Sequence, residues 1–302
     1  MPKKFQIIEV PSNAYTELEQ MGTKFKFWYR DETHGYCLFK EGHPNTGEDW
    51  AERVVSELCE LIELPHAIYK LAVWQSRNGV ITPNFLTENE RYAAGNEVLF
   101  RLDSTYPKED RKAKRHTIET ITAAFELLNI QLPKGTMPPE IKTAKQVFVG
   151  YLMLDVWIGN TDRHHENWAL VQSLENGNLV NRLAPTHDHA ASLGAILKDA
   201  EREARLKTKD KGYSIETYTG RGRSVIFEKE TDTRTLLLID AFRVASSFNP
   251  DASKLWLQKL ENVTISKVIE VFERVPDERI SEAAKQFAVN LLEINRKRLL
   301  NI

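Results

Sequence analysis

Three side chains with oxygen-bearing heads stand at short intervals in the middle of the chain: Asp162, Asn167 five residues later, and Asp188 in a second short segment. Phosphoryl transfer from a metal-bound nucleotide needs such a trio. One carboxylate must orient the attacking hydroxyl, while an amide and a second carboxylate hold magnesium against the phosphates. Asp162 is the candidate for the first role, Asn167 and Asp188 for the second. Taken alone, Asp162 has a plainer reading, because Gly159-Asn160-Thr161-Asp162 is ordinary turn chemistry after a buried helix. Asn167 and Asp188 change the balance, since all three cluster around short apolar runs, Trp168 to Val171 and Leu183 to Ala184.

A second constellation lies nearer the N-terminus. Lys40 ends an alternating run, and Glu52 follows at the margin of a helical stripe. A strand lysine paired with a helical glutamate is the device that holds the α- and β-phosphates of a nucleotide. Two unrelated surface charges are the plainer alternative, and Glu48, one helical turn earlier, competes as the partner. Ahead of them, the backbone N–H groups of Gly22 and Thr23 are expected to meet phosphate oxygens, with the Lys24 ammonium beside them. No Gly-x-Gly-x-x-Gly is present there.

Four of the eight histidines fall between 164 and 189, which opens a metal alternative. His187-Asp188 is the dyad of HD-type metal phosphohydrolases, and His164, His165 or His189 are candidates to complete such a site. Those enzymes carry the dyad within a helix, whereas Pro185 here sits two residues upstream after a strand-like run. No cysteine joins the histidines, so a structural zinc site is not expected.

These residues need elements to position them. Phe25, Phe27 and Tyr29 share one face of a strand over Lys24–Arg30; Asp31–Gly35 turns the chain, and Tyr36–Lys40 returns with Tyr36, Leu38 and Lys40 on one face. Asn45-Thr46-Gly47-Glu48 opens a helix whose stripe is Ala51, Val54, Val55, Leu58 and Ile62, stopped by Pro65. Strands follow over Ala67–Gln75 and Val80–Leu86, with Arg77-Asn78-Gly79 as their turn. Helical patterns then cover Thr117–Asn129 and Ala144–Gly159, with a Pro/Gly-rich linker, Leu132–Pro139, between them. Beyond the central stretch come an exposed charged helix over Lys198–Lys211 and a mobile loop over Gly212–Arg223. Three helices finish the chain, over Arg234–Ser247, Ser266–Arg274 and Ser281–Leu300. The expected class is α+β: residues 1–100 as a small β-rich lobe with one helix, and residues 101–302 as a larger, mainly helical lobe.

Composition narrows the function classes. The 302 residues are 41% hydrophobic and 28% charged, as in ordinary globular proteins. A formal net charge of −2 recruits neither nucleic acid nor anionic membrane. The basic run Lys108–Arg115 reads as a solvated helix start. The apolar run Val147–Ile158 is interrupted by Asp155 and is far short of the roughly 20 residues of a membrane span. Cys37 and Cys59 read as buried, reduced thiols, and no signal peptide is visible, so a cytoplasmic protein is expected.

Asp-x-x-x-x-Asn is the spacing of the protein-kinase catalytic loop. Asn160-Thr161-Asp162-Arg163-His164-x-x-Asn167 and Ala184-Pro185-x-x-Asp188 together resemble the HipA-like serine/threonine kinases over roughly residues 20 to 295. The weaker pieces are Gly22-Thr23, Leu38-Phe39-Lys40, the helix from Glu52 to Leu58, and Leu64-Pro65-His66-Ala67. The resemblance implies a two-lobed protein-kinase-like fold that uses ATP and magnesium to phosphorylate serine or threonine. It makes Asp162 the catalytic aspartate, Asn167 and Asp188 magnesium ligands, Lys40 the phosphate-binding lysine, and Thr23 the hydroxyl matching an autophosphorylation site. It also implies a protein substrate such as a translation factor, aminoacyl-tRNA synthetases among them, and a DNA-binding antitoxin as partner to a toxin. Against the longer toxins, the chain is expected to begin almost directly at the small lobe. Phosphatidylinositol kinases share Asp-Arg-His-x-x-Asn, so a lipid or small-molecule kinase is the second reading. A non-catalytic nucleotide-binding protein is the third, which intact Lys40, Asp162, Asn167 and Asp188 disfavour.

Overall fold

The computed structural model of the chain describes residues 2–14, 17, 18 and 24–302; Gly22 and Thr23 lie outside the described residues. The first sheet joins β1 (Ile8–Glu9), β2 (Glu17–Leu18), β3 (Lys26–Asp31), β4 (Gly35–Glu41), β5 (Lys70–Trp74) and β6 (Arg77–Pro83) in the order β1-β5-β6-β4-β3-β2. Period-two alternation explains its two faces. Phe27, Tyr29, Cys37, Phe39 and Ile81 are buried together around Trp74 on one face, while Leu38 and Lys40 turn to the other. That second face is covered by helix α1 (Glu48–Leu61), whose Ala51, Val54, Val55 and Leu58 are fully buried. The helix ends where Glu63 adopts a left-handed φ of 56°, ahead of Pro65.

The β5–β6 turn is Gln75-Ser76, with φ of 47° and 64°, rather than Arg77-Asn78-Gly79. Two left-handed residues give the twist that a two-residue hairpin needs. Gly79 instead lies inside the ladder: a Cβ there would sit 2.3 Å from the Lys40 carbonyl oxygen. Its lack of a side chain lets β6 close onto β4 beside Lys40.

The sequence reading did not anticipate β7 (Glu90–Ala94) or α2 (Gly95–Leu102). β7 pairs antiparallel with β8 (Ala169–Glu175), which pairs with β9 (Asn178–Leu183), forming a second sheet. In chain order, the first sheet ends at Pro83 and α2 runs across residue 100. Helices α3 (Ile118–Leu127) and α4 (Ala144–Ile158) follow. α4 begins at a Thr143/Gln146 capping box, is buried on nearly every side, and ends at Gly159 with φ of 68°. Gly150 gives it close contact with Trp256, whose ring would stand 2.6 Å from an added Cβ.

Of the remaining helices, α5 (Asp199–Lys207), α6 (Ile215–Gly220), α7 (Leu238–Phe248), α8 (Pro250–Glu261), α9 (Ile265–Glu273) and α10 (Glu282–Leu300), α7, α8 and α10 pack on α4, α5 and α6 on α10, and α9 on α1 and α10, completing the larger lobe. α6 replaces the expected mobile loop, because Ser214 caps it and Ile215 is buried. α8 was also not anticipated; Pro250 starts it, and Trp256 and Leu260 anchor it in the core. No helix among the described residues is long and apolar enough to cross a membrane.

Candidate active site

The C-terminus of α4 delivers the central turn, and a buried ion pair shapes it. Asp155 accepts from Arg163 Nε at 2.6 Å and Nη2 at 2.7 Å, and from Asn160 Nδ2 at 2.7 Å. Arg163 Nη1 then donates to the Asn167 carbonyl at 3.0 Å, fixing the far end of the turn. Asn160 Oδ1 accepts from the Asp162 N–H at 3.1 Å. Asn167 Nδ2 donates to the Asp162 carbonyl at 2.6 Å. The result is a rigid loop from which the Asp162 side chain emerges half-exposed, while Asp155 and Arg163 stay out of water. In the sequence Asp155 shows only as a charge interrupting an apolar run; its pairing with Arg163 was missed.

Asp188 reaches the same place from β9. Residues 65–67 and 186 clasp each other, Thr186 N–H donating to the Pro65 carbonyl at 3.0 Å and Ala67 N–H to the Thr186 carbonyl at 2.9 Å. Asp188 has a left-handed φ of 57°, and its N–H donates to the Tyr69 hydroxyl at 3.1 Å. The next N–H, of His189, donates to Glu52 Oε2 at 2.8 Å. Tyr69 had no signal in the sequence, since an aromatic residue in a strand-like run reads as core.

Lys40 joins these parts. Its Nζ lies 2.9 Å from Glu52 Oε1 and 2.6 Å from Asp188 Oδ1. Glu48 is engaged elsewhere, by Lys24 at 3.1 Å and by the His43 ring and backbone, so Glu52 is the partner of Lys40. Burial works against the Lys40 ammonium, yet Asp188 and Glu52 outweigh it and hold the group charged, well above the ordinary lysine value. Burial also pushes the Asp188 carboxyl up, but Lys40 and Lys24 hold it well below the usual carboxylate range. Asp162 moves the other way. Burial and the Asp188 charge raise it, against the pull of Arg111, Lys24 and Lys40. Two carboxylates with diverging proton affinities suit one base and one permanent anion.

The same face of the first sheet carries Thr82 opposite Leu38, one alternate position, about 7 Å, from Lys40. Its hydroxyl is buried without a hydrogen-bond partner among the described residues. Such an orphaned group beside a charged cleft is a signal for a polar ligand.

The four clustered histidines disperse. His187 approaches the Pro185 carbonyl through Nδ1 at 2.9 Å and the Tyr92 hydroxyl through Nε2 at 3.0 Å. His165 meets the Tyr106 hydroxyl at 2.9 Å, and His189 the Thr186 hydroxyl at 2.8 Å. His164 accepts the Glu166 N–H at 3.2 Å. Among the described residues no group of three or more His, Cys, Asp or Glu could hold a metal ion. The donors of an HD-type centre are therefore not gathered at His187-Asp188. Of the expected phosphate-binding loop, Lys24 is at the cleft, and Gly22 and Thr23 lie outside the described residues.

No protein-family model and no curated protein sequence matches the chain. Among solved structures, the chain is similar to the Helicobacter pylori proinflammatory kinase CtkA, with a TM-score of 0.69 and 16% identity, over 100% of this chain and 99% of that one. It is also similar to a chain of the Shewanella oneidensis toxin–antitoxin complex of HipA, HipB and operator DNA, with a TM-score of 0.54 and 9% identity, over 97% of this chain and 70% of that one. The fold is the two-lobed, HipA-like kinase fold.

Proposed function

We propose that the chain is an ATP- and magnesium-dependent kinase that phosphorylates serine or threonine in proteins. One observation carries this: Lys40 is held between Glu52 and Asp188, residues from a strand, a helix and a loop, beside the turn that presents Asp162. A fold of this kind needs that convergence to hold phosphates and place charge against them. The residues fit both partners. Asp188 offers a carboxylate, and Asn167, with Nδ2 spent on the Asp162 carbonyl, offers its amide oxygen, the hard donors magnesium prefers. Asp188 and Asn167 would hold the metal, which when bound supplies positive charge against the phosphate oxygens. Lys40 carries the charge for the α- and β-phosphates, and Glu52 keeps its ammonium in position. Asp162 accepts the proton of the attacking hydroxyl at its carboxylate. Gly22, Thr23 and Lys24 are proposed as the residues that cover the phosphates. The test is incubation of the pure protein with labelled ATP and magnesium; label on itself and on discrete lysate proteins is expected. No label anywhere, with ATP left intact, would sink the proposal.

Thr23 is proposed as an autophosphorylation site that lowers activity, since a phosphate adds about −1.5 to −2 charge beside the nucleotide's own. Thr23→Asp is then inactive and Thr23→Ala active, and mass spectrometry after long incubation with ATP finds phosphate at residue 23. A translation factor as substrate, and a DNA-binding antitoxin as partner, follow from the resemblance to HipA-like toxins; co-purification from the native source tests the partner. The buried, unpaired thiols of Cys37 and Cys59 fit a reducing cytoplasm. A lipid acceptor would show instead as labelled phosphoinositide with no labelled protein.

A further inference from the structure

A cavity of about 460 Å³ beside the central turn is not used by the chemistry above. One wall is Gly159 and Thr161, immediately before Asp162; another is Arg205, Arg221 and Arg223. No carboxylate lines it, and Leu238 and Leu291 contribute apolar surface. The charge here is unbalanced. Arg205 is paired with Glu201 at 2.9 Å and flanked by the Tyr213 and Tyr218 rings. Arg223 donates to the Thr235 carbonyl. Neither Arg223 nor Arg221 has an ion-pair partner among the described residues. Arg298 adds a further positive charge at the back, donating to the carbonyl of Thr219, which also lines the cavity.

We propose that this cavity binds an anionic side chain of the polypeptide acceptor, a phosphorylated residue above all, and so selects which hydroxyl reaches Asp162. The proposal rests on the kinase function proposed above. Guanidinium forks match phosphate oxygens in pairs, and a dianion neutralises two unpaired arginines at once. Apolar surface among the cations suits a side chain with a carbon stem and a charged head. A membrane headgroup would call for positive charge spread over a face. Here Lys207 is paired with Glu203 at 2.7 Å and Arg243 with Asp240 at 3.1 Å, while Arg221 and Arg223 line the cavity without such partners among the described residues. A nucleic-acid strand would use stacking rings, but Tyr218 is packed edge-on against Phe287 at 5.5 Å.

The probes are fluorescent peptides with one threonine acceptor and phosphoserine, glutamate or glutamine at each flanking position in turn. Binding is read by anisotropy without nucleotide, and transfer by label from ATP. At one position phosphoserine is expected to bind about tenfold tighter than glutamine, with glutamate between. Arg221→Gln brings that ratio close to one, and Arg221→Glu reverses it, so that glutamine binds tighter than phosphoserine. Arg221 is the useful site because its side chain makes no hydrogen bond or ion pair among the described residues. Equal binding of the three peptides, or a phosphoserine preference untouched in both variants, overturns the proposal. Arg221-dependent binding to phosphoinositide vesicles without any peptide preference overturns it too, giving the cavity to a lipid. Arg221-dependent phosphopeptide binding without any transfer from ATP leaves the anionic site standing and removes the kinase function instead.

Discussion

At the residue scale, Asp162 and Asp188 sit close enough to influence each other yet shift in opposite directions: burial and the Asp188 charge raise Asp162, while Lys40 and Lys24 overcome burial and hold Asp188 low. This separation predicts different failures for the same substitution. Asp162→Asn should lower turnover by roughly 10² to 10⁴ while nucleotide binding survives, because only the proton acceptor is lost. Asp188→Asn should instead weaken binding of magnesium-ATP, since a charged oxygen leaves the metal position. Calorimetric titration with and without magnesium, beside steady-state rates, separates the two. A D162N variant within threefold of the normal rate would remove Asp162 from the chemistry.

At the element scale, the turn after α4 keeps its shape through one buried pair, Asp155 and Arg163, which are 2% and 1% exposed. Removing one partner of such a pair costs about 3–5 kcal/mol, because the other charge stays buried alone. Arg163→Met should therefore destabilise the protein by that order in a urea titration. Adding Asp155→Leu should recover much of the stability, as apolar replacements of buried pairs do. Activity should not return, since nothing then holds the Asn167 carbonyl. Recovery of both together would mean that the pair only stabilises and does not shape the site. The expected hairpin turn and the expected loop at 212–223 differ from the structure for local reasons of the same kind. Gly79 reads as a turn residue until the Lys40 carbonyl is seen against it. The hydroxyl-rich run reads as a loop until Ser214 is seen to cap a helix that Ile215 buries.

At the scale of the whole molecule, the segment between α9 and α10 reaches back to the small lobe. Arg279 pairs with Asp49 of α1 at 2.6 Å and donates to the carbonyls of Ala72 and Gly79 at 3.1 and 3.0 Å. Arg279→Ala leaves the buried Asp49 carboxylate without its partner, for an expected loss of about 3–5 kcal/mol. Arg279→Lys should recover only part of it, because an ammonium lacks the fork; equal stability of the lysine variant would contradict this account. Acid should act on the larger lobe. Burial lowers His116 to about 3 and His165 to about 4, both from an ordinary 6.5. A histidine whose folded value is depressed stabilises fully above its unfolded value and loses that contribution as pH falls below it. The melting temperature is thus expected to drop between pH 6.5 and 4, and His165→Asn should flatten the drop. A melting temperature that does not change across that range would show that neither imidazole is kept neutral by the fold.

Spacing by itself singled out the central trio as candidates, because Asp162 and Asn167 fall in one short stretch and Asp188 in a segment soon after. Alternation determined that Lys40 would share a face with Tyr36 and Leu38, since strand faces follow from local backbone geometry; that α1 covers this face was decided by the packing. Local geometry could not decide between Glu48 and Glu52, one helical turn apart; only the packing of α1 on the sheet aims Glu52 at Lys40 and Glu48 at Lys24. Nor could it find Tyr69, Arg279 or the orphaned Thr82 hydroxyl. Their roles arise from residues up to 230 positions away, and chain proximity carries no information about contacts that form only when the core closes. The histidine cluster makes the same point in reverse: four side chains close in sequence turn to different partners, because each is claimed by whatever the tertiary fold packs against it.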